Sequence, residues 1–225
     1  MREIVLDTET TGLDPLKGDR IVEIGCVEIQ NHIATGRIFQ VYLNPERDMP
    51  SEAAMVHGLT DEFLADKPVF AEKVDDFLAF IGDTMLVIHN ASFDMSFINA
   101  ELTRCGYKRL PIERATDTVA LARKMFPGAP ASLDALCKRF SVDASGRKMH
   151  GALLDAHLLA EVYLELRGGR QPDLAIMPAD GAAIEEIQAC IREHRAPRTY
   201  AASEEESAAH EAFLSQLKSP LWKRV

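Results

Sequence analysis

Between residues 3 and 166 the apolar positions keep two rhythms, short unbroken runs and runs with helical spacing. Short apolar runs bounded by turn residues read as strands buried on both faces. Residues 3–6 form such a run and end in acids. Residues 20–29 form a second, apolar at Ile21, Val22, Ile24, Cys26 or Val27, and Ile29. Residues 38–43 form a third, closed by Asn44-Pro45. Residues 69–81 place Val74, Phe77, Leu78 and Ile81 at the spacing of an amphipathic helix. Residues 85–88 predict another buried strand, followed by the turn His89-Asn90-Ala91-Ser92, and residues 93–105 a helix ended by Gly106. Residues 115–125 predict a short strand turning into a helix, with Asp117 or Thr118 near its cap. Residues 132–140 predict a short helix capped by Ser132, and 151–166 a strong helix ended by Gly168-Gly169. Three sequential strands followed by helix–strand–helix units predict an α/β fold, a mixed β-sheet flanked by helices.

The rhythm changes after Gly169. Residues 170–181 hold two prolines and few large apolar side chains. Ile184, Ile187 and Ile191 then predict a short amphipathic helix. Ser203 and Glu206 fit a capping box for a helix carrying Phe213, Leu214 and Leu217, stopped by Pro220. Trp222 lies three residues from the end. The organisation expected is a domain over 1–169, a linker with a short helix over 170–196 and a helical tail over 197–225. Such a tail is too small for its own core. It either packs back on the domain or docks on a partner with Trp222 as an aromatic anchor.

Composition narrows the class. Hydrophobic residues are 47% and charged residues 27%, which fits a globular chain and excludes general disorder, collagen-like repeats and a disulfide-dense miniprotein. No apolar run approaches the ~20 residues of a membrane span. The start Met1-Arg2-Glu3 leads directly into the first strand, so no signal peptide is expected. Cys26, Cys105, Cys137 and Cys190 form no CxxC pair, which suggests core thiols in a reduced, cytoplasmic setting. The net charge of −10 disfavours a general nucleic-acid coater. If the chain works on nucleic acid, metal ions or a partner must supply the grip.

Five residues on three segments carry candidate chemistry. Asp7 and Glu9 lie two apart at a strand end, so both point to one face. Side-by-side carboxylates repel, and a hard divalent cation removes the repulsion. Asp94 follows the 85–88 strand near the start of the next helix, where it could merely complement the helix dipole. Asp155 lies on the apolar Leu158-Leu159-Val162 side of its helix and so points into the protein. His150 precedes that helix, and imidazole titrates near the pH at which a general base works. Such a set would share two Mg²⁺ or Mn²⁺ ions ~3.5–4 Å apart, and its oxygen donors disfavour zinc. His89 and His157 are rival bases. His157 faces away on its helix and His89 ends a strand, while Asp117 reads as a helix cap.

These motifs, Asp7-x-Glu9, Asn90-x-x-Phe93-Asp94 and His150-x-x-x-x-Asp155, resemble the DEDDh class of 3′–5′ exonucleases. The resemblance is nearest to its branch of proofreading subunits of bacterial DNA polymerase III. It extends through the segments 4–12, 56–63, 122–128 and 132–137 to about residue 169, and Leu221-Trp222-Lys223-Arg224 is similar to the tail of that branch. It implies a ribonuclease-H-like fold with Asp7, Glu9, Asp94 and Asp155 holding two metals and His150 as base. It also implies that Glu52 and His57 touch the terminal nucleotide and that the Thr8 and Thr10 backbones line its sugar. Without the resemblance, Glu52 reads as a loop acid and His57 as a helix-edge histidine. The implied substrate is a single-stranded or frayed DNA 3′ end. The implied partners are the polymerase III alpha subunit through the tail, the sliding clamp through 171–176 and a small theta-like subunit. A free-standing RNA trimmer or oligoribonuclease, an inactive structural subunit and a metal-free acidic scaffold are the alternatives.

Overall fold

The protein is described here by a computed structural model covering residues 1–146, 149–169 and 202–217. Its five strands are β1 (Arg2–Thr10), β2 (Ile21–Gln30), β3 (Ile33–Tyr42), β4 (Met85–Ile88) and β5 (Ala115–Asp117). They lie side by side in the order β3-β2-β1-β4-β5. β1–β2 and β2–β3 are antiparallel, whereas β1–β4 and β4–β5 are parallel. The helices are α1 (Ser51–His57), α2 (Asp61–Leu64), α3 (Phe70–Ile81), α4 (Ala91–Arg104), α5 (Thr118–Met125), α6 (Leu133–Phe140) and α7 (Ala152–Leu166). This is the mixed, helix-flanked sheet expected.

β1 explains why its sequence is unbroken Ile-Val-Leu. Successive side chains of a strand point to opposite faces. Ile4 and Leu6 enter the core formed with Phe77 and Ile81 of α3 and Phe97 and Leu102 of α4. Val5 enters a second core formed with Leu136 of α6 and Leu159, Val162 and Tyr163 of α7. Both faces are covered, so both parities must be apolar. Truncating Phe77, which is 1% exposed, should cost about 3–5 kcal/mol through lost burial and the cavity left behind.

Three departures have physical reasons. β1 runs on to Thr10 because β2 continues to pair with it, Thr8 opposite Ile24 and Glu9 opposite Glu23. Asp7 and Glu9 are therefore strand residues. β3 begins at Ile33, earlier than the expected residue 38, because it is an edge strand whose first six residues are exposed and need no apolar rhythm. α1 and α2 have no stripe in the sequence: Met55 and Val56 of α1 face solvent, and α2 is one turn started by the Thr60 side chain. Ser132 caps α6 as expected, accepting from the Ala135 N–H at 3.3 Å.

The chain divides into two compact units, Met1–Asp173 and Leu174–Val225. Within the second, the capping box forms: the Glu206 N–H donates to Ser203 Oγ at 3.2 Å and the Ser203 N–H to Glu206 Oε2 at 2.9 Å, starting a helix over Glu204–Gln216. The 184–191 helix, the 171–176 segment, Cys190, Pro220 and Trp222 lie outside the described residues. Cys26 and Cys137 are buried free thiols, and Cys105 is partly buried. Among the described residues, no helix is long and apolar enough to cross a membrane.

Candidate active site

The parallel strands β1 and β4 end side by side, Leu6 opposite Ile88. Open α/β sheets place their sites at such carboxyl ends. Beyond Leu6, β1 carries Asp7, Thr8 and Glu9. Asp7 and Glu9 share the parity of Val5, on the α7 side, while Thr8 shares that of Leu6, on the α4 side. The chain leaves β4 through Asn90, in the left-handed region at φ 66°, which asparagine tolerates better than most residues. The turn brings Asp94 into the first turn of α4, where its Oδ1 accepts the Thr8 hydroxyl at 2.7 Å. Burial pushes the Asp94 carboxyl up to about 7; the Thr8 hydroxyl and the backbone N–H groups of Asp94 and Thr8 oppose that shift.

α7 supplies the third segment. Asp155 is 3% exposed on its first turn. His150, just before the helix, places Nδ1 at 3.3 Å from Asp155 Oδ2 and donates its backbone N–H to the Val56 carbonyl of α1 at 3.1 Å. Glu9, His150 and Asp155 each offer a ligand atom within 4.8 Å of the others. Asp7, Glu9, Asp94, His150 and Asp155 all line one cavity of about 260 Å³.

The structure separates the two remaining expected residues. His57 ends α1, buried, with Nδ1 accepting the Leu59 N–H at 3.1 Å. Burial pushes its imidazole down, the Thr10 backbone opposes this, and His150 adds to it. Glu52 sits exposed on the first turn of the same helix and is not among the side chains lining the cavity. Of the rival bases, His157 is exposed. His89 borders the cavity, with Nδ1 2.9 Å from the Thr118 hydroxyl. Asp117 caps α5, accepting from the Val119 N–H at 2.8 Å and from the Asn90 N–H at 3.2 Å. Asp134, Ser132 and Phe93 also line the cavity; from sequence, Ser132 reads only as a helix cap and Phe93 only as a motif position, and Asp134 has no role. In sequence Asp134 is only an acid in the first turn of α6, and nothing local says that this turn faces Asp7.

The donor set suits a hard divalent cation. It is carboxylate oxygen with the imidazoles of His150 and His89, and the described residues lining the cavity include no Lys, Arg or Cys.

Fold and site together define an exonuclease: the RNase_T family model, described as "Exonuclease", matches residues 4–163. Among solved structures, the chain is similar to exonuclease X in complex with 5′-overhanging duplex DNA, with TM-score 0.57 and 27% identity over 74% of this chain and 91% of that one. It shares its fold with the zinc-bound complex of E. coli ExoI with single-stranded DNA, with TM-score 0.66 and 18% identity over 76% of this chain and 41% of that one. Among curated proteins, the DNA polymerase III subunit epsilon of Rickettsia felis is 60% identical over 174 residues, 76% of each chain. Those of Salmonella typhimurium and Escherichia coli are 49% and 47% identical over 238 residues, covering 99% of this chain and 97% of theirs. The chain belongs to this exonuclease family, in its branch of DNA polymerase III epsilon subunits.

Proposed function

We propose that the protein is the 3′–5′ exonuclease that proofreads for a replicative DNA polymerase III, removing mispaired 3′-terminal nucleotides as nucleoside 5′-monophosphates. The observation that carries the reading is the convergence of Glu9, His150 and Asp155 in a cavity shared with Asp7 and Asp94. Asp7, Glu9, Asp94 and Asp155 would hold two divalent cations, Mg²⁺ or Mn²⁺. Bound there, the cations supply positive charge to the entering and leaving oxygens of the scissile phosphodiester.

The chain's own residues do the rest. His150 takes the proton of the attacking water, with Asp155 beside Nδ1 orienting the ring. Attack in line on the last phosphodiester releases the terminal nucleotide. Glu52 and His57 contact that nucleotide, and the Thr8 and Thr10 backbones line its sugar. Only an unpaired end reaches carboxylates recessed in a cavity, and a mismatched end costs less to unpair. Selectivity then needs no reading of bases.

The negative charge of the chain fits a subunit that lets the polymerase hold the duplex. The division assigned is an exonuclease domain over 1–169, a linker over 170–196 and a tail over 197–225 that docks on the alpha subunit. The 171–176 segment is assigned to the sliding clamp and a further surface to a theta-like subunit, all in the cytoplasm. The span of the epsilon relatives over the tail favours this reading over a free-standing RNA trimmer.

The test is a primer–template carrying a 5′-labelled primer with a paired or a mispaired 3′ end. Stepwise shortening from the 3′ end, faster for the mispaired primer and abolished by chelation, is expected. Internal cleavage, or cleavage indifferent to chelator, would overturn the reading. Deleting 197–225 should abolish copurification with the alpha subunit.

A further inference from the structure

The helix that carries Asp155 starts at a residue that cannot cap it by a side chain. Gly151 stands at the N-cap of α7 and, having no side chain, makes no cap hydrogen bond. A serine, threonine or aspartate there would be the ordinary solution. Gly151 is extended, and a Cβ built on it meets nothing within 4 Å, so neither conformation nor space requires glycine.

The acceptor comes from the sheet. Glu23, on β2 and 2% exposed, accepts the Ala152 N–H through Oε2 at 3.1 Å. Its Oε1 accepts Gln40 Nε2 at 2.8 Å, and the Tyr42 phenol is raised by burial and then by the Glu23 charge. The donors on this buried carboxylate are neutral, and the positive end of the α7 dipole faces it. Two residues along β2, Gly25 stands opposite Asp7, and a Cβ built there would lie 2.2 Å from the Leu153 backbone nitrogen. The start of α7 therefore rests on the strand surface beside Glu23. Glu23 itself is paired in register with Glu9.

We infer that Glu23 is a positioning residue that fixes the start of α7 on β2 and so sets Asp155 and His150 against Asp7 and Glu9. A cap within the helix would stabilise α7 wherever it lay. A cap from the strand stabilises it only in one register against the acids of β1. The inference rests on the proposed reading of the site as a cation-dependent nuclease centre.

Two substitutions in the full chain separate reach from charge. Glu23→Gln keeps the length and an acceptor oxygen and removes the charge. Glu23→Asp keeps the charge and is one methylene short. Glu23→Gln should hold kcat on a single-stranded oligonucleotide and affinity for Mn²⁺ within about threefold, while Glu23→Asp should lose about 10–100-fold in both, the usual cost of disturbing the groups behind metal ligands, with KM little changed. In the metal-free protein, the Ala152 amide should stay protected from hydrogen exchange in Glu23→Gln and lose protection in Glu23→Asp. Full activity and protection in Glu23→Asp, or loss of both in a folded Glu23→Gln, would overturn the inference. If the unsubstituted protein neither binds Mn²⁺ nor shortens DNA, the reading of the site falls instead, and the Ala152 amide still decides whether Glu23 holds the helix by its reach.

Discussion

Buried acids occur in two kinds of surroundings in this protein. Glu101, 1% exposed on α4, is held by Arg20 at 2.6 and 3.0 Å and by Arg104 at 3.0 Å. Glu28 on β2 is held by Arg2, by Arg37 at 3.0 Å and by Thr35 at 2.9 Å, and the Arg2 contact pulls its carboxyl below the ordinary value. At the carboxyl end of β1, Asp7, Glu9, Asp94 and Asp155 gather where no described lining residue is a Lys or Arg, and Asp94 shifts the other way. Glu28 and Asp94 thus move in opposite directions, because Glu28 has its guanidinium partners built into the chain and Asp94 is desolvated with only neutral donors opposing the shift. The first arrangement serves stability. The second costs stability and makes sense as a place prepared for cations that arrive from solution.

That contrast can be broken by mutation. Asp7→Asn or Asp155→Asn should lower kcat/KM for 3′-end removal by at least ~10³-fold, because bound cations contribute several kcal/mol to the transition state and each 1.36 kcal/mol is tenfold. The melting temperature of the metal-free protein should hold or rise, since like charges have been thinned. His150→Ala should cost ~10²–10⁴ in kcat, the usual contribution of a general base, with Mn²⁺ binding affected far less. Glu101→Ala should do the reverse. Chemical denaturation should report a loss of about 3–5 kcal/mol, because Arg20 loses its buried partner, while the folded fraction keeps its nuclease rate.

A smaller effect follows from Asp94. Its folded value near 7 lies above the ~3.9 of an unfolded aspartate, so the folded state holds the proton more tightly. The stability it contributes to the metal-free protein is fully present below about pH 3.9 and is lost as pH rises through about 7. Melting temperatures without metal should fall across that window, and Asp94→Asn should flatten the fall. Mn²⁺ should reverse the trend, stabilising more as pH rises, because ligand carboxylates must be ionised.

Much of the fold was legible. The 85–88 run became β4 without adjustment, and the 151–166 periodicity became α7 with Gly151 at the N-cap position, because burial on a sheet imposes strong patterns. The exposed edge of β3 and the helices α1 and α2 were not legible, since elements facing solvent need no pattern. For the site, the alternation of Asp7 and Glu9 and the inward face of Asp155 could be read from periodicity alone. The meeting of the three segments could not, because it depends on Leu6 lying beside Ile88 and on α7 resting against Gly25. Asp134 stayed hidden for the same reason, as did Glu23, whose partner lies 129 residues away.

The most direct measurement is calorimetric titration of the full chain with Mn²⁺ at about pH 8, above the Asp94 value, where the ligands are ionised. Saturable binding of about two ions per chain, lost in Asp7→Asn and Asp155→Asn, is the predicted result. No saturable binding, or binding that both variants retain in full, would contradict it.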